Sequence, residues 1–204
     1  MTKKITNNKG FSLIELLIAM SITLVLMGVA TTLFSGALST RKRESRKTDA
    51  LTSARAALSA ISRELSNSGY GMTTNGIVTA DSSAQKIHFR ANLSNEDYNT
   101  NSVGEDVTYF FDSATQSIVR YDPNTTPTTS VIVNRISNVT FKYFDYTGSN
   151  STPTQADVAT NNTGRVRITV TVKLEEVQGQ PKNQTITFTS EVTLRNSTYM
   201  LNQY

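Results

Sequence analysis

Residues 9–40 read KGFSLIELLIAMSITLVLMGVATTLFSGALST, and this stretch decides how the chain is organised. From Phe11 to Thr40 the only charged side chain is Glu15, and no proline interrupts the run. These 30 residues exceed the roughly 20 apolar residues that an α-helix needs to cross a bilayer. The sequence therefore predicts a membrane-spanning helix over residues 11–40.

A short polar leader, MTKKITNNKG, covers residues 1–10 and contains three lysines and no acid. A basic leader followed by an apolar run has two simple explanations. It could be a plain membrane anchor, or a secretory signal peptide cleaved at the small residues Gly28-Val29-Ala30. Glu15 argues against both, because a carboxylate in an apolar helix costs about 2.5–3.5 kcal/mol on insertion scales and therefore indicates a function. Gly10, directly before the apolar run, allows a peptidase to approach the backbone closely.

The segment Lys9-Gly10-Phe11-Ser12-Leu13-Ile14-Glu15-Leu16 closely resembles the cleavage and methylation motif of type IV prepilins and of the pseudopilins of type II secretion. The resemblance implies that a prepilin peptidase cuts between Gly10 and Phe11 and that the new N-terminal Phe11 is N-methylated. It also implies that Glu15, fifth in the mature chain, pairs with the terminal amine of a neighbouring subunit during assembly.

A second half of the helix is predicted by an apolar stripe at spacings of three and four residues, and Gly69 is predicted to act as its C-terminal cap. The stripe consists of Leu51, Ala54, Leu58, Ile61 and Leu65. Basic residues gather at 41–47, so positive charge lies on both sides of the apolar segment and charge alone leaves the orientation open. The resemblance to prepilins favours a cytoplasmic N-terminus, a single pass through the inner membrane and a periplasmic domain.

Beyond Gly69 the apolar pattern changes to a period of two, which predicts strands separated by polar loops. The predicted strands cover 77–78, 86–90, 107–112, 117–121, 130–133, 139–146, 165–174 and 185–194, and the predicted loops cover 91–104, 122–129 and 147–163. We therefore expect an α+β fold of the type IV pilin kind, in which a long helix packs on an antiparallel β-sheet domain. The expected divisions are a leader (1–10), a transmembrane helix (11–40), an amphipathic continuation (41–68) and a β-rich domain (69–204).

The composition bears on which sites the domain could carry. Net charge is +4, but the positive charge is concentrated in the leader and at 41–47, so we expect no direct binding of nucleic acid by the domain. The chain has no cysteine and one histidine. His88 alternates with Ile87 and Phe89 in a predicted strand, so we expect it to point to solvent. The sequence thus predicts no catalytic residue, no metal site, no cofactor and no enzyme activity, although the acidic stretch 91–106 leaves calcium binding open.

The order of later segments is similar to that of PilW-like minor pilins and the related J-type minor pseudopilins. These segments are 62–70, 136–146, 164–170 and 192–196. The resemblance implies a minor pilin in an initiating or tip complex of a type IV pilus. Its implied partners are other major and minor pilins, the prepilin peptidase and the inner-membrane assembly platform. After assembly the protein would lie in the pilus at the cell surface.

Two alternatives remain open at this point. The same N-terminal motif suits a minor pseudopilin of a type II secretion system. A tip adhesin or DNA-uptake pilin would instead bind a ligand through the loops 91–104 and 147–163.

Overall fold

The computed structural model describes residues 10–94, 99–147, 152–174, 176 and 181–202. It opens with a helix, α1, that runs over Leu13–Leu65, 53 residues in all. At about 1.5 Å per residue this helix is about 80 Å long. The predicted continuous helix is confirmed, although it is shorter at both ends than the expected span of 11–68.

The end of α1 differs from the prediction that Gly69 caps it. The chain leaves the helix at Ser66, whose backbone N–H still donates to the carbonyl of Ser62 at 3.0 Å. Gly69 lies in the turn that follows, at φ +77°, and its N–H donates to the carbonyl of Arg90 at 2.9 Å. The glycine therefore joins the end of the helix to the first strand instead of closing the last helical turn.

In the part of the chain that the structure describes, eight strands form two four-stranded sheets, and all the pairs are antiparallel. The first sheet has the order β1-β2-β3-β4 and the second β6-β5-β7-β8. The strands are β1 (Lys86–Arg90), β2 (Asp106–Asp112), β3 (Ser117–Tyr121), β4 (Thr129–Val133), β5 (Ile136–Asp145), β6 (Thr154–Ala156), β7 (Thr163–Lys173) and β8 (Thr185–Thr193). The predicted α+β class is confirmed, and the arrangement is consistent with the type IV pilin fold.

The β7–β8 pair shows how closely the alternating pattern predicts the structure. The two strands pair antiparallel from Arg165 opposite Thr193 to Lys173 opposite Thr185. Ser190 is the one polar residue in the inward series of β8, and its Oγ lies 3.2 Å from Oγ of Ser62 on α1. The polar residue that interrupts the apolar pattern of β8 therefore makes a polar contact with the helix.

One hydrophobic core joins the C-terminal half of α1 to both sheets. The helix buries one face, made of Ala54, Ala57, Leu58, Ile61 and Leu65, which includes four of the five residues of the predicted stripe. Leu51 is half-buried. Tyr143 of β5 lies in the same core, and its hydroxyl donates to the carbonyls of Ser83 and Lys86 at 2.9 and 3.2 Å. These bonds tie the second sheet to the start of the first, so helix and sheets form one folded unit.

Three short elements differ from the sequence prediction. Within the described residues, 77–78 is not a strand, because Ile77 makes only an isolated bridge to Phe89. β6 lies inside the predicted loop 147–163 and is held by pairing with the end of β5, which its three residues could not reveal. A short helix, α2 (Thr198–Leu201), brings the ring of Tyr199 to within 4.2 Å of Tyr146, centroid to centroid.

Candidate processing and assembly site

The Gly10–Phe11 peptide bond lies immediately outside α1. Ser12 is the N-cap residue, with extended backbone angles of φ −71° and ψ 143°, and its carbonyl accepts the first helical hydrogen bond from Leu16 at 3.1 Å. Gly10 is exposed and Phe11 is 85% exposed. A Cβ placed on Gly10 would meet no atom within 4 Å. The bond at which the sequence predicts cleavage is thus non-helical and open to an enzyme.

Glu15 lies in the first turn of α1, and its side chain is exposed. The first turn of a helix has backbone N–H groups without intrahelical acceptors and carries a partial positive charge. A carboxylate at this position is favoured by the helix, and it stands four residues after Phe11. The geometry places the carboxylate near the N-terminus that cleavage would create, where a second subunit could also reach it.

The N-terminal half of α1 has no contact with the rest of the described protein that buries it. An 18-residue window has a mean hydropathy of 2.4, and none of it is buried. Large apolar side chains are exposed all round this segment: Leu13, Ile14, Leu16, Leu17, Ile18, Met20, Ile22, Leu24, Val25, Leu26, Met27, Val29, Leu33 and Phe34. A helix that is apolar on every side requires a lipid or protein environment, which agrees with a membrane anchor.

Four hydroxyl groups in this segment are satisfied within the helix itself. Ser21, Thr23 and Thr31 each donate to the backbone carbonyl four residues earlier, at 2.7–2.9 Å. Thr32 donates to the carbonyl of Val29 at 2.8 Å. Because these groups need no water, the segment can enter an apolar environment at little polar cost. Glu15 is the exception, since its charge has no opposite charge among residues 11–40.

A polar joint connects the other end of α1 to the first sheet. Oε2 of Glu64 accepts hydrogen bonds from the Tyr109 hydroxyl and from Nε of Arg120, both at 2.9 Å. Arg120 also donates to the fully buried Asp122 at 3.0 Å. Burial and the neighbouring Glu64 carboxylate raise the pKa of Tyr109 well above its usual range. The Tyr109 hydroxyl therefore stays protonated and donates to Glu64, and the joint ties the end of the helix to the first sheet.

Sequence reasoning missed this joint, although one signal was present. Arg120 follows the buried Ile118 by two residues, so a period of two places a charge on the inward face of β3. A charge at an inward position requires a partner, because an isolated buried charge is costly. The partner, Glu64, is 56 residues away along the chain, and no local pattern identifies it.

His88 lies on the outward face of β1, but the prediction that it points freely to solvent was wrong. The alternation is as expected, with Ile87 and Phe89 in the core, but the side chain of His88 is only 13% exposed. Nδ1 lies 2.9 Å from Oδ2 of Asp81, and Nε2 lies 2.6 Å from Oδ1 of Asp106. The 3₁₀ turn Thr79–Asp81 and strand β2 bring these two carboxylates to the ring from opposite sides. The described residues contain no group of three acidic or histidine side chains arranged to hold a metal ion.

Two carboxylates of the acidic stretch 91–106, those of Glu105 and Asp106, form hydrogen bonds or close contacts with other groups of the same chain. Glu105 is fully buried and accepts from the backbone N–H groups of Ser94 and Ser102 at 2.7 and 2.9 Å. Asp106 accepts from Arg90 at 2.9 Å and contacts His88. Residues 95–98, which include the other acids considered as calcium ligands, lie outside the described residues. Among the described residues, Glu105 and Asp106 therefore serve to hold the loop and the strand in place.

We expect Glu105→Gln to destabilise the domain by about 2 kcal/mol at neutral pH, because an amide replaces a charged acceptor of two backbone N–H groups. Burial alone would raise the pKa of Glu105, but the hydrogen bonds from Ser94 and Ser102 outweigh it and hold the pKa below its usual range. A lowered pKa gives a contribution to stability that is present above the unfolded-state value and is lost as the pH falls through the folded-state value. Urea unfolding followed by tyrosine fluorescence should therefore show a difference from wild type that shrinks as the pH falls below the usual pKa range of a glutamate.

The control for this change is Glu44→Gln, which alters an exposed carboxylate on α1 and should leave the unfolding midpoint unchanged. A difference between Glu105→Gln and wild type that stayed constant down to acid pH would contradict the role assigned to the charge.

Comparison with known proteins bears on the N-terminal segment. Residues 5–31 match the family model of the prokaryotic N-terminal methylation motif. No curated protein and no solved structure matches the chain. The matched residues include Gly10, Phe11 and Glu15 and the exposed apolar helix as far as Thr31. The motif and the helix together support a type IV prepilin-like protein that is anchored in a membrane by its N-terminal segment and processed by a peptidase.

Proposed function

We propose that this chain is a minor type IV pilin with a structural and not a catalytic role. In this proposal the peptidase cleaves between Gly10 and Phe11, Phe11 is N-methylated, and the subunit enters a pilus, in an initiating or tip complex, through residues 11–40. The observation that carries the proposal is the exposed, non-helical Gly10–Phe11 bond directly before an apolar helix with its one charge, Glu15, in the first turn.

The physical argument for assembly through α1 rests on the surface of that helix. The apolar segment is unburied in the single chain, and in a membrane it is covered by lipid. Leaving the membrane for a filament requires neighbours that cover the same surface, and helices of sibling pilins have the required apolar character. Gly28 and Gly36 meet no atom within 4 Å where a Cβ would be, so each leaves space for a neighbouring helix to approach closely.

The rigid attachment of α1 to the domain supports the same role. The buried face of residues 54–65 and the Glu64–Arg120 joint fix the domain to one end of the helix. A helix that packs into a filament then carries its domain to a defined position on the filament surface. The domain can decorate or terminate the filament, and the partners are other pilins and the assembly platform.

The first test is the mass and N-terminal sequence of the protein extracted from membranes, with and without a co-expressed prepilin peptidase. We expect a peptidase-dependent mature chain that begins at methylated Phe11. A matched variant, Gly10→Val, should keep the leader, because a β-branched side chain obstructs the close backbone approach. A chain that begins near Thr31 in either condition would instead indicate a signal peptide and would overturn the proposal.

A second experiment distinguishes a pilus subunit from a type II secretion pseudopilin, because both classes of protein share the N-terminal motif. Deletion of the gene should reduce surface pili while leaving secretion of folded enzymes intact. The reverse result would assign the protein to the secretion pseudopilins and would keep the cleavage site and the role of the helix.

A further inference from the structure

A slot lies on the outer face of the first sheet, away from α1. In the strand register His88 of β1 is opposite Thr108 of β2, and Thr108 is opposite Tyr121 of β3. The three side chains therefore stand in a row across the sheet. The middle residue is the smallest, so the sheet is depressed between the imidazole ring and the phenol ring.

The slot has room for a six-membered ring. Its volume is about 450 Å³, and it is lined by Asp81, Lys86, His88, Thr108, Phe110 and Tyr121. Neighbouring strands are about 4.8 Å apart, so side chains on β1 and β3 stand about 10 Å apart across β2. A flat ring with carbon contacts on both faces needs about 7–8 Å.

One wall of the slot is held rigidly. The His88 ring is held between two carboxylates, because Nδ1 lies 2.9 Å from Oδ2 of Asp81 and Nε2 lies 2.6 Å from Oδ1 of Asp106. Asp106 is in turn bound by Arg90 at 2.9 Å. Because the ring cannot turn without losing a contact, the width of the slot is set before any ligand binds, which lowers the entropic cost of binding.

The opposite wall and the rim differ in chemistry. The ring of Tyr121 forms an apolar wall, and the residue is 39% exposed. At the rim Nζ of Lys86 lies 2.5 Å from Oδ1 of Asp81, and the two side chains remain 39% and 46% exposed. The Lys86 ammonium holds the pKa of Asp81 below its usual range, so the rim presents an ionised acceptor beside a donor. Such a pair can bind adjacent hydroxyl groups while its own charges cancel.

We propose that the slot binds one uncharged pyranose ring, whose C–H face lies against Tyr121 and whose hydroxyls bond to Asp81 and Lys86. An aromatic side chain of a partner protein would also fit between the walls. It would, however, cover the Asp81–Lys86 pair without replacing the hydrogen bonds to water, and an unpaired polar rim is costly. The combination of one apolar wall with a polar rim therefore favours a ring that carries hydroxyls.

The test uses full-length protein in a detergent without a sugar headgroup, such as dodecylphosphocholine, because a glycoside detergent would itself occupy the slot. Saturation-transfer NMR is recorded with the methyl pyranosides of glucose, galactose, mannose and N-acetylglucosamine. We expect saturable binding of at least one of them, with the ring protons of one face receiving most of the saturation. Tyr121→Ala should weaken that binding about tenfold, since stacking on an aromatic ring supplies part of the affinity.

The matched control is Tyr70→Ala, which removes another exposed tyrosine, 49% accessible, from the turn after α1. It should bind the pyranoside as wild type does. The proposal is overturned if none of the four pyranosides binds saturably, or if Tyr121→Ala binds as well as Tyr70→Ala. It is also overturned if N-acetyltyrosinamide alone is bound in a Tyr121-dependent way, which would indicate docking of an aromatic side chain. None of these results depends on cleavage at Gly10.

Discussion

Glu15→Ala is expected to lower the amount of this subunit recovered in sheared filaments at least tenfold, while membrane insertion and cleavage after Gly10 stay normal. Cleavage would leave an ammonium at Phe11, and N-methylation retains that charge. In the proposed filament the ammonium and Glu15 would both lie among apolar helices, where an unpaired charge costs several kcal/mol. Removing Glu15 therefore leaves a neighbour's ammonium without a partner, and a loss of about 1.4 kcal/mol already gives a tenfold effect.

The charge of Glu15 can be separated from its size. Glu15→Gln keeps the shape of the side chain and its hydrogen-bonding capacity but cannot neutralise an ammonium, so it should resemble Glu15→Ala. Glu44→Ala removes an exposed carboxylate from the same helix, outside the apolar segment, and should enter filaments normally. Immunoblots of membrane and sheared fractions, normalised to cleaved protein, give the ratio. Filament entry by Glu15→Ala at the wild-type level would show that the pairing is not required.

In the proposed filament the pairing of Glu15 with a neighbour's terminal amine would select the register of the subunits and add little net stability. Desolvating a carboxylate and an ammonium costs about as much as their attraction returns. A subunit that stops one turn too high or too low leaves both charges buried and apart, which is the costliest arrangement. The single charge in 30 apolar residues can thus define one position along a helix surface that otherwise offers little to distinguish one level from the next.

The parts of the structure that the sequence predicted are those set by local pattern. The apolar run, the stripe at 54–65 and the alternation in β7 and β8 each reflect one element and the side it buries. The motif that contains Gly10, Phe11 and Glu15 was recognisable because it is contiguous, and the family model of residues 5–31 supports it. The division of the strands into two sheets was not predictable in this way, because it depends on which strands meet and not on their own composition.

The same distinction explains the errors at His88 and at the joint. The environment of His88 is made by Asp81 and Asp106, and that of Glu64 by Arg120, so each depends on residues brought together by the fold. The slot beside His88 requires the strand register that places Thr108 between two larger side chains. Period-two reasoning places each side chain on a face of its strand, but it does not identify the side chains across from it.

Gly76→Ala is expected to destabilise the domain by roughly 4 kcal/mol, a large part of the 5–15 kcal/mol that holds a typical domain together. Gly76 has φ +77°, and a Cβ there would meet the backbone N of Gly69, the carbonyl of Arg90 and Oγ of Ser68 well inside 3.0 Å. The left-handed conformation alone costs an L-residue about 1–2 kcal/mol. The remainder comes from overpacking and from hydrogen bonds that would have to lengthen.

The added methyl group of Gly76→Ala is small, but it would lie where the end of α1 is hydrogen-bonded to the first sheet, so its effect on stability is large. The Gly69 N–H donates to the carbonyl of Arg90 at 2.9 Å, and the Arg90 N–H donates to the carbonyl of Gly76 at 2.8 Å. These bonds join the turn after α1 to β1, so a methyl group between them separates the helix from the first sheet. We expect the near-ultraviolet dichroism of the tyrosines to melt at a lower temperature while the apolar half of α1 stays helical in detergent.

Gly104→Ala is the matched control, because Gly104 also has a positive φ, +86°, but the nearest atom to its Cβ would be Cδ1 of Leu93 at 3.9 Å. This variant carries the conformational cost without the clash and should lose only about 1–2 kcal/mol. The difference between the two variants measures how tightly the helix end is held to the sheet. Equal melting temperatures would mean that the junction relaxes at little cost, and the domain would then be less firmly directed by its helix than the proposed filament role requires.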